Sequence, residues 1–184
     1  MLGLVRVLFW RWNQGIYNFA DMNLSDLQSK IYLSPHHNDL GQSFPFIQES
    51  KSVVFTNGCF DILHEGHISS LLHASSLGDI LIVGLNSDES VRNLKGITRP
   101  VVPQTSRSTV LASMSFVDFV VIFDESTPRE LLNYLQPDVI VKGQDYIVSD
   151  VVKHSDEAVV SLAPLVPDLS TSSLLDKYYS LKNS

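Results

Sequence analysis

Thr56-Asn57-Gly58-Cys59-Phe60-Asp61-Ile62-Leu63-His64-Glu65-Gly66-His67 is the stretch that decides how this chain folds. The apolar run Val53-Val54-Phe55 leads into it and predicts a short buried strand, since β-branched and aromatic residues bounded by polar ones favour that state. Gly58 then lets the backbone turn sharply. From His67 onward Ile68, Leu71, Leu72, Ala74 and Leu77 recur at three- and four-residue spacing, which predicts a helix with one buried face. Gly78 stands where such a helix stops. Two histidines therefore lie where a strand ends and a helix begins. Backbone N–H groups are unpaired there, and the helix dipole favours an anion. Imidazoles add side-chain donors, so the arrangement suits phosphate oxygens. The same residues also read as a metal pair, or as helix-start histidines with structural roles only. Zinc needs a third and fourth ligand. Cys59 is near in sequence but is the single cysteine of the chain, so no metal site is expected.

His64-Glu65-Gly66-His67 in this setting resembles the HxGH motif of the cytidylyltransferase-like nucleotidyltransferases, and Thr56 to Asp61 resembles the turn that precedes it there. Composition is compatible. The chain has 184 residues, 44% of them hydrophobic, enough for one domain and a short appendage. A net charge of −7 argues against nucleic-acid binding, which wants a basic surface, but leaves room for a nucleotide. One cysteine rules out an internal disulfide framework and points to a reducing compartment, the cytoplasm.

Residues 1–50 are expected to form an N-terminal extension and residues 51–184 the domain. Met1 to Trp12 hold both tryptophans, but the run is interrupted by Arg6 and is too short to span a bilayer. It reads as an unpacked extension upstream of a start at Met22, with a weak amphipathic anchor as the alternative; no stable membrane insertion is expected. Ser25 is placed to cap a helix carrying Leu24, Leu27, Ile31 and Leu33. His36 and His37 read as solvated loop residues, while Phe44, Phe46 and Ile47 are candidates to pack the arm on the domain.

After residue 51 strand and helix signals alternate. Residues 79–85 form a continuous apolar run, typical of a strand buried on both faces. Ser87 is placed to cap the next helix, with Asp88 and Glu89 in its first turn. Thr105 or Ser106 starts a third helix, with Val110, Leu111, Met114 and Val117 on one side. Residues 118–123 are the next strand. Thr127-Pro128-Arg129-Glu130 combines a capping box with proline at the first helical position, and Pro137 closes that helix. Residues 138–141 and 158–162 are the fourth and fifth strands, and a helix with Leu174, Leu175 and Tyr178 ends the chain. The alternation predicts an α/β fold: a Rossmann-like three-layer sandwich with a mainly parallel five-stranded sheet. Ligands in such sheets bind beyond the carboxyl ends of the strands. Those ends carry the HxGH segment, Asn86-Ser87-Asp88, and Lys142-Gly143-Gln144-Asp145-Tyr146. Asp145 there suits a ribose hydroxyl, an amine or a metal-bound water, or merely the capping of a turn. The loop from Lys95 to Pro103 carries Lys95 and Arg99, and Arg107 follows in a helix's first turn; these read as binding cations or as a solvated basic loop.

Residues 52–175, about two thirds of the chain, are similar to the adenylyltransferase domain of the bacterial ADP-heptose pathway. The likeness rests on Asn86-Ser87-Asp88, on Leu94-Lys95-Gly96 with Arg99-Pro100-Val101, Pro103 and Arg107, and on Thr127-Pro128. It continues through Pro137-Asp138, Val141-Lys142-Gly143-Gln144-Asp145-Tyr146 and Ser170-Thr171-Ser172. Three positions depart from that family's glycines: Gln144, Leu169 and Asp156-Glu157-Ala158. The resemblance implies that a sugar 1-phosphate, of a heptose, attacks ATP to give ADP-sugar and pyrophosphate. It implies His64, His67 and Lys142 as catalytic residues. It gives the nucleotide Asn57, Gly58, Cys59, Phe60, Gly66, Asn86, Asp88, Gly143, Asp145, Thr171 and Ser172, with the two histidines. Lys95, Arg99 and Arg107 would meet the substrate phosphate or the leaving pyrophosphate, with Mg²⁺ bridging phosphates. A homo-oligomer and a separate sugar kinase are also implied, since residues 1–50 cannot hold a kinase domain. A glycerol 3-phosphate cytidylyltransferase and a nucleotide-binding module that does not turn over are the alternatives.

Overall fold

The computed structural model describes residues 23–34, 51–143, 158–164 and 170–182. The expectations placed on Met1 to Trp12, His36, His37, Phe44, Phe46, Ile47, Gln144, Asp145 and Leu169 lie outside them. In chain order the elements are α1 (Leu24–Gln28), β1 (Ile31–Leu33), β2 (Val53–Gly58), α2 (Glu65–Ser75), β3 (Ile80–Asn86) and α3 (Asp88–Lys95). They continue with α4 (Gln104–Ala112), β4 (Phe119–Phe123), α5 (Arg129–Leu135), β5 (Val139–Gly143), β6 (Val159–Ala163) and α6 (Thr171–Lys182). The strands form one sheet in the order β1-β4-β3-β2-β5-β6, with every pair parallel. β2 is therefore central, with β3 and β5 beside it. The order reverses at β2, where such sheets leave a crevice for a ligand.

Each strand splits its side chains between two layers, as a period of two requires. Val54, Leu81, Val83, Leu85 and Val120 pack with Leu71 and Ala74 of α2 and Leu111 and Ala112 of α4. Phe55, Ile80, Ile82, Val121, Phe123 and Ile140 pack on the other side with Leu131, Leu132 and Leu135 of α5. Gly78 and Gly84 allow close approach: a Cβ on Gly78 would lie 2.6 Å from Val54 Cγ2, and one on Gly84 2.7 Å from Phe55 Cζ. Gly78 is thus a packing position, and α2 ends earlier, with Ser76 as its C-cap.

Several expectations are corrected. The sheet has six strands among the described residues rather than five, because Ile31–Leu33 pair with Val120–Ile122 of β4. The helix expected near 24–33 is confined to α1, capped by Asn23 and Asp26 in a capping box rather than by Ser25. Pairing with an exposed strand edge outweighs the helical spacing of Ile31 and Leu33. Lys30 Nζ donates to Ala112 O at 2.7 Å, fastening this arm to the end of α4. α4 starts at Gln104, and its Pro103 N-cap offers no side-chain bond. Pro128, not Thr127, is the N-cap of α5, again without a side-chain bond, so the expected capping box does not form. Ser87 caps α3 as expected, its Oγ accepting from Ser90 N at 3.1 Å.

Candidate active site

The crevice is built where β2 ends. Gly58 was expected to make the turn, but the left-handed residue there is Phe60, with φ 45°. That conformation is unfavourable for a residue with a Cβ, by roughly 1–2 kcal/mol, and needs the surroundings to hold it. They do. The Phe60 ring is buried and meets the His67 ring at 5.2 Å between centroids. Arg107 Nη1 donates to the carbonyl of the preceding Cys59 at 2.5 Å. The following Asp61 is 3% exposed and accepts from Val101 N and Val102 N, each at 2.8 Å, and from Arg99 Nε at 2.5 Å. Burial alone would raise the Asp61 pKa. The two amide hydrogen bonds and the Arg99 guanidinium outweigh that and hold it below the usual carboxylate range.

The turn delivers both histidines to the start of α2. His64 is the extended N-cap residue, Gly66 takes the second helical position and His67 the third. The two rings lie 3.8 Å apart between centroids, with their planes tilted by 30°. Both Nδ1 atoms are buried and have no hydrogen-bond partner among the described residues. The His64 side chain makes no cap bond, so it does not serve the helix that it begins. Burial, reinforced by its neighbour His64, pushes His67 down to about 4, and burial also lowers His64. At neutral pH both rings are therefore neutral, each with one N–H to donate. Two neighbouring imidazoles at a helix N-terminus, each with an N–H to donate, have the chemistry that suits an anion. No group of three His, Cys, Asp or Glu side chains that could hold a metal ion occurs among the described residues.

On the β5 side, Lys142 is buried near the strand's end, and Gly143 is the strand's last residue. The Lys142 ammonium donates to Asn57 Oδ1 across the β2–β5 pair. Burial lowers its pKa to about 8. Thr56 Oγ1 ties the same two strands, donating to Val141 O at 3.0 Å. Thr171 begins α6, and its hydroxyl lies 3.4 Å from Ile62 O, which brings that helix against the HxGH turn. Ser172 beside it is exposed.

On the β3 side the cations divide. Arg107 was expected to meet a substrate phosphate, yet it is 1% exposed and its donors are used on the protein. It bonds Val102 O at 2.8 Å, Cys59 O at 2.5 Å, Asn86 O at 2.9 Å and Asp88 Oδ1 at 2.7 Å. It is the brace of the crevice, because it links the ends of β2 and β3 to the loop before α4. Asp88 Oδ1 also accepts from Gln104 N at 2.8 Å, and the Asn86 amide donates to Ser90 Oγ at 3.0 Å. Both residues that were given to the nucleotide are thus engaged in holding the strand end. The Arg99 side chain hydrogen-bonds among the described residues through Nε alone, and Lys95 is exposed at the end of α3. Desolvation raises the Cys59 thiol, and Lys95, Arg107 and Arg99 pull it back, so all three cations act on the same turn. Asp61 is the residue that sequence reasoning missed. Its place in the quoted motif was visible, but its partners lie about forty residues away.

Residues 55–173 match the model of the cytidylyltransferase-like family, more than half of the chain. The chain belongs to the cytidylyltransferase-like family. This is a nucleotidyltransferase family, and the histidine pair, the braced turn and the parallel sheet fall inside the matched segment. Among curated proteins the chain is 52% identical over 130 residues to the bifunctional protein HldE of Campylobacter fetus. It is 49% identical over 129 residues to the protein of the same name from Helicobacter pylori. These alignments cover 71% and 70% of this chain but only 28% of each relative, so the chain spans less than a third of their length. A crystal structure of the lipopolysaccharide core biosynthesis protein from Thermoplasma volcanium superposes with a TM-score of 0.55 at 27% identity. That superposition covers 63% of this chain and 97% of the other. Among the described residues no helix is long and apolar enough to cross a membrane.

Proposed function

We propose that this cytidylyltransferase-like chain is an adenylyltransferase that joins ATP to a sugar 1-phosphate, of a heptose, releasing pyrophosphate. The observation that carries this reading is the stacked pair His64 and His67, both Nδ1 atoms buried and unpartnered at the N-terminus of α2. The resemblance to the ADP-heptose family implies the substrates, and the roughly 50% identity to HldE proteins supports that reading. An oxygen of the sugar phosphate attacks the α-phosphorus of ATP, the bond to the β-phosphate oxygen breaks, and pyrophosphate leaves with that electron pair. The reaction needs no protein nucleophile, only alignment and charge neutralisation.

His64 and His67 donate to the triphosphate, more strongly as charge builds in the transition state. Backbone N–H groups at the start of α2 add further donors. Asn57, Gly58, Cys59 and Phe60 border the nucleotide. Lys142 supplies a positive charge from the β5 side, and Thr171 and Ser172 complete that side; the resemblance also assigns Asp145, outside the described residues, to the nucleotide. Lys95 and Arg99 face the sugar phosphate, and Arg107 braces the crevice rather than touching substrate. The described carboxylates do not form a cage for Mg²⁺: Asp61 is taken by Arg99 and two amides, and Asp88 by Arg107 and Gln104. Any Mg²⁺ would rest on phosphate oxygens, and no step above depends on it.

The test is a pyrophosphate-release screen of ATP and CTP against sugar 1-phosphates and glycerol 3-phosphate. Turnover of ATP with a heptose 1-phosphate is expected. Turnover confined to CTP and glycerol 3-phosphate would establish the cytidylyltransferase alternative. Tight ATP binding without release from any acceptor would mark a module that does not turn over.

A further inference from the structure

Two arginines sit on the loop and helix that follow α3, and the fold treats them differently. Arg107 spends its guanidinium on three carbonyls and Asp88. The Arg99 side chain is 13% exposed and, among the described residues, hydrogen-bonds through Nε alone, on Asp61 Oδ2. Its terminal amino groups have no hydrogen-bond partner among the described residues. A guanidinium held by one edge offers the other edge as a fork for two oxygens of an anion. Asp61 itself is fully engaged. It stands one residue past the left-handed Phe60 and three before His64, and its other oxygen takes the amides of Val101 and Val102. One buried carboxylate thus fixes the histidine turn and the arginine loop to each other.

We propose that Asp61 is a positioning residue that aims the free edge of Arg99 at the phosphate of the acceptor substrate. This rests on the nucleotidyltransferase reading of the site. The strand order supports the choice of acceptor over nucleotide. Lys142, on Asn57 Oδ1, and Thr171, on Ile62 O, meet the end of β2 and the turn after it from the β5 and α6 side. The loop bearing Arg99 follows β3 and α3 on the opposite side. A triphosphate lying along the histidines toward Lys142 leaves the Arg99 edge to the second anion. Lys95, Arg99 and Arg107 all act on Cys59, so the positive potential on that side converges on the turn itself.

Asp61→Asn keeps an oxygen for the amides but turns an N–H toward Arg99 Nε, donor against donor, and releases the guanidinium. The expected result is a rise in KM for the sugar phosphate of about 10- to 100-fold, the scale of one lost charge-assisted hydrogen bond. KM for ATP should stay within about twofold. Arg99→Ala should give the same pattern. In the Arg99→Ala background, Asp61→Asn should then have no further effect on KM, because its role runs through the missing guanidinium. Multiplying effects in the double variant, or an equal rise in KM for ATP, would overturn the proposal. If Asp61→Asn does not fold, Arg99→Lys decides: it keeps a cation without the fork, and an unchanged sugar-phosphate KM would be contrary to the proposal. Wild-type protein without pyrophosphate release defeats the functional reading instead, so the two failures are distinguishable.

Discussion

His67→Ala removes the imidazole that meets the His64 and Phe60 rings, at 3.8 Å and 5.2 Å between centroids. The ring is neutral at pH 7, since burial and His64 hold it at about 4. A neutral donor binds a ground-state triphosphate only modestly. Its hydrogen bond strengthens as negative charge accumulates on the transferring phosphoryl group, so the loss should fall on kcat more than on KM. Removing one preorganised transition-state donor typically costs about 10²–10³ in kcat, or roughly 2.7–4 kcal/mol. Folding should change little by comparison. The variant loses ring contacts but also removes a buried nitrogen that has no partner among the described residues, so the net should stay near 1 kcal/mol. The assay is the initial rate of pyrophosphate release at saturating ATP and sugar phosphate, with thermal unfolding measured on the same preparation. A folded His67→Ala protein turning over within about threefold of wild type would refute the assignment, because losing a preorganised transition-state donor typically costs about 10²–10³.

Arg107→Ala should act on stability first. It strips Asp88 of its cationic partner and leaves three carbonyls short, at a cost of about 3 kcal/mol, the low end for a broken buried pair because Asp88 is 26% exposed. Differential scanning calorimetry should show Tm falling by roughly 6–12 °C. The rate should fall above about pH 8, where Lys142 loses its charge, and kcat/KM measured across pH 7–10 should show Lys142→Arg abolishing that limb. Stability should itself depend on pH. The folded-state pKa values of His64 and His67 are depressed, so the unfolded chain takes protons first, and stability is lost as pH falls from about 6.5 toward about 4. Asp61, whose carboxylate is favoured in the fold, adds a further loss below about pH 4. Denaturant unfolding at several pH values should show the first decline shrinking in a His67→Gln variant.

Much of the crevice was legible because its parts are local. Val53-Val54-Phe55 and the spacing from Ile68 to Ala74 define β2 and α2 without knowledge of partners. The cap at Ser87 and the lysine near the end of β5 are local in the same sense. Long-range pairing was not legible. Ile31 has helical spacing with Leu27, yet it pairs with Val120 across the sheet edge. Arg99 and Arg107 look alike as cations in a basic loop, and only the carbonyls of Cys59, Asn86 and Val102 tell them apart. Phe60 shows the limit in the turn itself. Glycine marks the chain's bend in the sequence, but tertiary packing places the left-handed residue two positions later.

The central claim is that the stacked imidazoles receive the triphosphate. NMR titration of the imidazole signals with and without ATP tests it most directly. His73, hydrogen-bonded to Ser161 at 3.2 Å, serves as the internal control. ATP should raise the His67 midpoint from about 4 and shift the His64 and His67 signals while leaving His73 in place. Signals of His64 and His67 indifferent to saturating ATP, with tight binding shown in parallel by calorimetry, would contradict the account.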